Sequence, residues 1–190
     1  MKTMHIINKD TGNFKVLEYS IVVNQKNIHT FLAHYSIIYI ASGTLHLTKK
    51  RSKRVIKEGE LCLISPGIYT KSEFTHNHKH VVFILLFNRQ TAQLLLELPK
   101  VYNDLNNLSN LKPRQNPDIY IIPPNKIYKS FFNSTRLYHK MKNDIKKEMI
   151  PIKFAELIYL LLDSPHKQAI LSFLSDAAIH KEKEEPKINA

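Results

Sequence analysis

The sequence predicts an α+β protein, strands first and helices after. Three observations predict it. All four glycines, Gly12, Gly43, Gly59 and Gly67, fall in the first 67 of the 190 residues. Glycine accepts the positive φ of tight turns, so an early cluster marks turns between strands, and a glycine-free remainder suits helices. Up to Phe87, short β-branched and aromatic runs alternate with turn residues. After Asn88 the apolar period lengthens from two residues to three or four. A chain of 190 residues can bury a real core as one domain or two small ones.

The elements follow in order. Ser36-Ile37-Ile38-Tyr39-Ile40 is a strand stopped by Ser42-Gly43, and Thr44-Leu45-His46-Leu47-Thr48 alternates as a half-buried strand does. Lys49-Lys50-Arg51-Ser52-Lys53-Arg54 reads as a polar hairpin tip before Val55-Ile56 resumes the sheet. Lys57-Glu58-Gly59-Glu60 turns into the short buried strand Leu61-Cys62-Leu63-Ile64, which Ser65-Pro66-Gly67 closes as a turn. Residues 81–87 are wholly apolar and predict a central strand. Strands of this length and spacing imply a sandwich or barrel.

Beyond Asn88, residues 91–98 carry Leu94, Leu95 and Leu98 on a helical stripe that Pro99 ends. Residues 103–118, rich in Asn, Ser, Asp and Pro, predict a loop, and Ile119-Tyr120-Ile121-Ile122 one more strand. Ile127, Phe131, Ser134, Tyr138, Met141 and Ile145 recur every three or four residues and predict one amphipathic helix. Phe154, Leu157, Ile158, Leu161 and Leu162 predict a second. Ser164 and Pro165 open a third, with Ile170, Leu171, Leu174 and Ala178 as its apolar face. Residues 181–190 read as a charged linker.

Composition narrows the function. One cysteine excludes an intrachain disulfide framework and a cysteine-based structural zinc site. Residues 1–10 hold no long apolar segment, and the apolar runs 81–87 and 157–162 fall far short of a membrane span of about 20 residues. The expectation is a soluble cytoplasmic protein that binds no membrane. Twenty-eight basic against 16 acidic residues give a net charge of +12, which invites a nucleic-acid reading. No zinc finger, RNA-binding strand signature or glycine-turned helix-turn-helix accompanies the charge. A charged hairpin tip is ordinarily a solvated tip. His76, His78 and His80 alternate on one strand face and could meet a metal, but a flat row makes a poor tetrahedron and a solvated face is the simpler reading. No nucleophile elbow, phosphate loop, dinucleotide fingerprint or zinc-protease motif occurs, so no enzyme and no cofactor is expected.

Residues 38–47 and 55–67, with their glycine turn, basic hairpin and Gly59-Glu60-Leu61-Cys62-Leu63-Ile64-Ser65-Pro66-Gly67 step, resemble the cupin-like half of AraC-family transcription regulators. Residues 152–165, with Lys153, Glu156-Leu157 and Ser164-Pro165, and then 171–174, are similar to the branch that activates type III secretion genes. The resemblance spans about residues 30–180. It implies a small cupin-like β-barrel or jelly roll (1–90), a helical dimerisation region (91–180), and a linker (181–190) to a helix-turn-helix DNA-binding domain not in this chain. DNA contact then belongs to that missing domain. The turn continues Ile68-Tyr69-Thr70-Lys71 without the histidine of metal-binding cupins, which argues against a cupin-type metal-dependent enzyme.

Two functions are weighed on that frame. The first is a homodimer under the control of a regulatory protein partner. Tyr138, Met141, Ile152, Lys153, Leu157, Leu160 and Leu161 are its expected contact residues, because a helix apolar nearly all round must cover two surfaces. The second is a sensor of a fatty-acid-like ligand, with Tyr39, Leu45, Leu47, Leu63, Phe83 and Leu85 lining a barrel cavity and a lysine near the mouth.

Overall fold

The computed structural model describes residues 14–21, 24–50, 52–75, 79–107, 118–138 and 143–179. Among the described residues nine strands come as β1 (Phe14–Ile21), β2 (Gln25–Leu32), β3 (Tyr35–Ser42), β4 (Thr44–Lys49), β5 (Ser52–Ile56), β6 (Leu61–Ile64), β7 (Gly67–Phe74), β8 (His80–Phe87) and, later in the chain, β9 (Ile119–Ile122). All the pairings are antiparallel. One sheet runs β1-β8-β3-β6-β9 and the other β2-β7-β4-β5. Eight strands split in that order over two facing sheets are a jelly roll, as the sequence predicted; β9 extends the first sheet at its β6 edge.

The five-stranded sheet is a middle layer with both faces covered. On β3, Tyr35, Ile37 and Tyr39 join the core shared with the helices, while Ile38 and Ile40 join the core between the sheets. On β8, Val81, Phe83, Leu85 and Phe87 take the helical side, and Val82 and Ile84 the other. A strand covered on both faces needs apolar residues at every position, hence the unbroken run at 81–87. The four-stranded sheet covers one face only. Leu45 and Leu47 of β4 point inward at 2% and 3% exposure, and Thr44, His46 and Thr48 between them are half-buried.

Five helices follow: α1 (Arg89–Leu96), α2 (Pro99–Asn107), α3 (Lys126–Tyr138), α4 (Asn143–Leu162) and α5 (Lys167–Ile179). Asn88 caps α1 by accepting the Thr91 N–H at 2.9 Å. Rings lock the helices to the middle sheet. Phe132 of α3 stacks on Tyr39 at 4.3 Å, and Phe87 meets Phe154 of α4 and Phe173 of α5 edge-on.

Four expectations need correction. β1, β2 and β7 were not foreseen, because β2 is largely polar and β7 buries only Tyr69 and Glu73. The basic hairpin is mostly strand, with β4 ending at Lys49 and β5 starting at Ser52. Pro99 begins a helix rather than only ending one, so residues 103–107 are helical and not loop; proline suits a first helical position, where no N–H is needed. The stripe 127–145 is divided between α3 and α4, and Ile127 is 54% exposed. The inward face foreseen for α5 holds, with Ile170, Leu171, Leu174 and Ala178 all buried.

Candidate functional site

The first candidate is the outer side of α4. Phe154, Leu157, Ile158 and Leu161 are fully buried and Leu162 is 2% exposed, so one side of the helix is spent on the chain's own core. On the opposite side, Ile145 and Ile152 stand 49% and 57% exposed, a seven-residue step that returns to the same face after two turns. Met149, Ala155 and Tyr159 flank them half-buried. Pro151 sits inside the helix, where it has no N–H to give the preceding turn.

The expected contact residues separate on this helix. Ile152 faces outward, and Leu160 and Tyr138 are half-buried. Leu157 and Leu161 have no area to offer a second copy without opening the core. Met141 lies outside the described residues. Lys153 points inward and is 8% exposed. Its ammonium donates to Ser134 Oγ at 3.0 Å and Glu156 Oε2 at 2.7 Å, 5.2 Å from the Phe131 ring centroid and 5.3 Å from that of Tyr138. It therefore fastens α4 to α3, through one buried charge with an acid, a hydroxyl and two ring faces to meet it.

The second candidate is the barrel interior. The six residues expected to line one cavity divide between two cores. Leu45 and Leu47 lie between the sheets, whereas Tyr39, Leu63, Phe83 and Leu85 face the helices. The cause is the two-residue period of a strand: Leu63 and Leu85 share parity with the ring-bearing positions that meet α3. Between the sheets stand instead Ile38, Ile40, Ile56, Cys62, Ile64 and Tyr69.

That interior also holds a polar cluster that the sequence reading missed. Glu73 of β7 and His80 of β8 are fully buried. Tyr19 of β1 donates its hydroxyl to Glu73 Oε1, and Lys71 donates to the same oxygen at 3.1 Å. His80 Nε2 lies 3.9 Å from it. Among the described residues Glu73 Oε2 has no hydrogen-bond partner. Gly43, at φ 92, admits the His80 ring: a Cβ there would come within 2.4 Å of His80 Nδ1. Register carried the missing signal, since Tyr69, Lys71 and Glu73 share one parity of β7. Of the alternating histidines only His80 lies among the described residues, and it is buried rather than on a solvated face.

Burial favours the neutral forms of His80 and Tyr19. It pushes the His80 imidazole below its ordinary value, with Lys71 adding to it and Glu73 opposing. Burial, then the charge and hydrogen bond of Glu73, hold the Tyr19 hydroxyl protonated well above its usual range. A histidine depressed in the fold supports stability above its unfolded value of 6.5 and loses that support as pH falls. A tyrosine raised in the fold supports stability below 10.0 and loses it as pH rises. Thermal denaturation across pH should therefore show a plateau between 6.5 and 9.0, where the buried Cys62 thiol, also raised by burial, begins to lose its support before Tyr19 does, with a fall on both sides. His80→Gln should flatten the acid side, and an identical acid slope in that variant would refute the assignment.

A second polar knot closes the far end of the barrel. Lys49 Nζ donates to Asp118 Oδ1 at 2.7 Å and to Pro66 O at 3.1 Å, and Tyr69 donates its hydroxyl to Ser65 O at 2.7 Å. Burial would raise the Asp118 pKa, but the Lys49 hydrogen bond and charge outweigh it and bring it below the usual carboxylate value. The lead into β9 is thus tied to the β4–β5 hairpin.

Comparison with known proteins follows from this geometry. No curated protein matches the chain. Two crystal structures of ToxT from Vibrio cholerae share the architecture at 14% identity: an apo variant form (TM-score 0.55, covering 82% of this chain and 58% of that one) and the wild type bound to an unsaturated fatty acid (TM-score 0.54, 86% and 58%). The likeness is one of fold, and this chain spans 58% of their length. The family described as the ExsA N-terminal regulatory domain matches residues 35–173, from the first residue of β3 into α5. A match over most of the chain, from the jelly roll through the helical layer, places this protein in the ExsA N-terminal regulatory domain family.

Proposed function

We propose that this domain is the dimerising, regulatory half of an AraC-type transcription activator, working in the cytoplasm without catalysis of its own. In this reading residues 1–90 are the barrel, 91–180 the helical dimerisation region, joined to the barrel by β9, and 181–190 a linker. DNA contact falls to a separate domain. A second copy packs on the outer side of α4, and a protein partner controls the assembly. The observation that carries it is the two-sided apolar character of α4. One side fills the core, and Ile145 and Ile152 remain exposed on the other.

A two-fold contact brings each patch against its own copy, so Ile152 near the middle of α4 meets its equivalent or a near neighbour. Light scattering at high micromolar concentration should give about twice 22.2 kDa. Ile152→Asp should give the single-chain mass, with thermal stability little changed because the side chain is 57% exposed. A wild-type monomer under these conditions overturns the reading.

A second reading has a specific observation in its favour: one of the similar folds, ToxT, was solved with an unsaturated fatty acid. This chain would then sense a fatty-acid-like ligand in the jelly roll. Native mass spectrometry of the purified protein decides it, through a co-purifying lipid mass or a clean apo mass.

A further inference from the structure

The two edges of the four-stranded sheet are built differently. β2 carries a register shift between Gln25 and Ile28, with Asn27 at φ 54. Such a bulge bends an edge away from foreign strands. β5 has no such device. Its register against β4 runs unbroken from Lys49↔Ser52 to Leu45↔Ile56, and among the described residues nothing pairs with its outer side. Alternate residues of an edge strand keep free N–H and C=O groups there.

The charged side chains on β5 itself are basic, and acidic ones enter only in the turn beyond it, at Glu58 and Glu60. Lys50, Lys53, Arg54 and Lys57 are exposed, and among the described residues none has an ion-pair partner. Lys49, by contrast, is turned inward onto Asp118. Val55, 38% exposed, stands between Lys53 and Lys57 on the outer face, in register with His46, while Lys53 is in register with Thr48 and Arg54, on the other parity, with Leu47. A single lysine is enough to discourage self-pairing of an edge. Four unpaired cations repel a second copy of the same edge and favour an acidic strand, because opposite charges across a strand pair attract.

We propose that β5 is the docking edge for an acidic, extended segment of a partner protein, which joins the sheet as a fifth strand with carboxylates opposite Lys53 and Arg54 and an apolar side chain opposite Val55. Backbone hydrogen bonds supply the affinity of such strand addition, and side chains in alternate positions supply the selectivity. The proposal rests on the reading that a protein partner controls this domain. It is tested by peptide binding at β5, while the dimer is tested by mass at α4, so either can fail alone.

The probe is a fluorescein-labelled peptide of about eight residues, glutamates flanking a central valine, followed by anisotropy at physiological salt. Two competitors accompany it: a peptide of the same charge with proline in place of the valine, and a random-sequence DNA duplex. The expected result is saturable binding of the first peptide, little binding of the other two, and about a tenfold loss in Lys53→Glu/Arg54→Glu. Should that variant melt early, Lys53→Gln/Arg54→Gln takes its place. No binding of the first peptide overturns the proposal. Equal binding of the proline peptide or the duplex also overturns it, since that is attraction of any anion to a basic hairpin.

Discussion

Truncation of Phe132 to alanine is expected to cost about 3–5 kcal/mol of folding stability. Phe132 is fully buried and is the ring through which α3 meets the middle sheet. It lies parallel to Tyr39 at 4.3 Å, tilted to Phe83 at 5.4 Å and edge-on to Phe131 at 5.0 Å. Removing it forfeits the ring's own burial and leaves a void walled by other rings. Tyr39 and Phe83 stand on rigid strands and cannot close in, so the cavity persists and the cost sits toward the upper end. A domain holds only about 5–15 kcal/mol in total, so the variant should be partly unfolded at modest urea. The control is Leu137→Ala, a 60% exposed residue on the same helix, expected to change stability by less than about 0.5 kcal/mol. Chemical denaturation of both compares them. A Phe132 variant as stable as the control would mean that the helices do not lean on the sheet as described.

The same packing shows why the sequence was partly legible. A strand in the middle layer must be apolar at every position, so β3, β6 and β8 stood out as unbroken runs, and the inward face of α5 announced itself by spacing alone. β2 and β7 border solvent and bury little, so their alternation is weak. The resemblance carried the family, because a glycine turn and a Gly-Glu-Leu…Ser-Pro step are local in sequence. Parity was not legible. Placing Leu45 and Leu63 in one cavity required knowing that β4 and β6 belong to different sheets, which only long-range pairing decides. Lys153 was expected at the dimer contact, whereas it is buried on the core side. Ser134, nineteen positions away, and the rings of Phe131 and Tyr138 make its burial tolerable. The cluster around Glu73 depended likewise on three strands meeting.

Breaking that cluster from one side should cost about 3–5 kcal/mol, and breaking it from both sides should cost less. Glu73→Leu leaves the Lys71 ammonium, whose side chain is 15% exposed, beside the Tyr19 ring with no carboxylate to neutralise it. It also leaves the Tyr19 hydroxyl without its acceptor. Lys71→Met alone strands a fully buried carboxylate, of which one oxygen is already unpartnered. Glu73→Leu/Lys71→Met removes both charges and fills the space with apolar atoms, and a buried ion pair exchanged for hydrophobic side chains is often neutral or stabilising. Chemical denaturation of the two singles and the double closes a mutant cycle, in which the double should be more stable than either single. Adding Tyr19→Phe should then recover stability further, since the phenol no longer has a partner to lose. Additive losses would mean that the charges act independently and that the closeness of Glu73 to Lys71 contributes nothing to the fold. A strongly non-additive cycle would make these side chains one electrostatic unit that ties β1 and β8 of one sheet to β7 of the other.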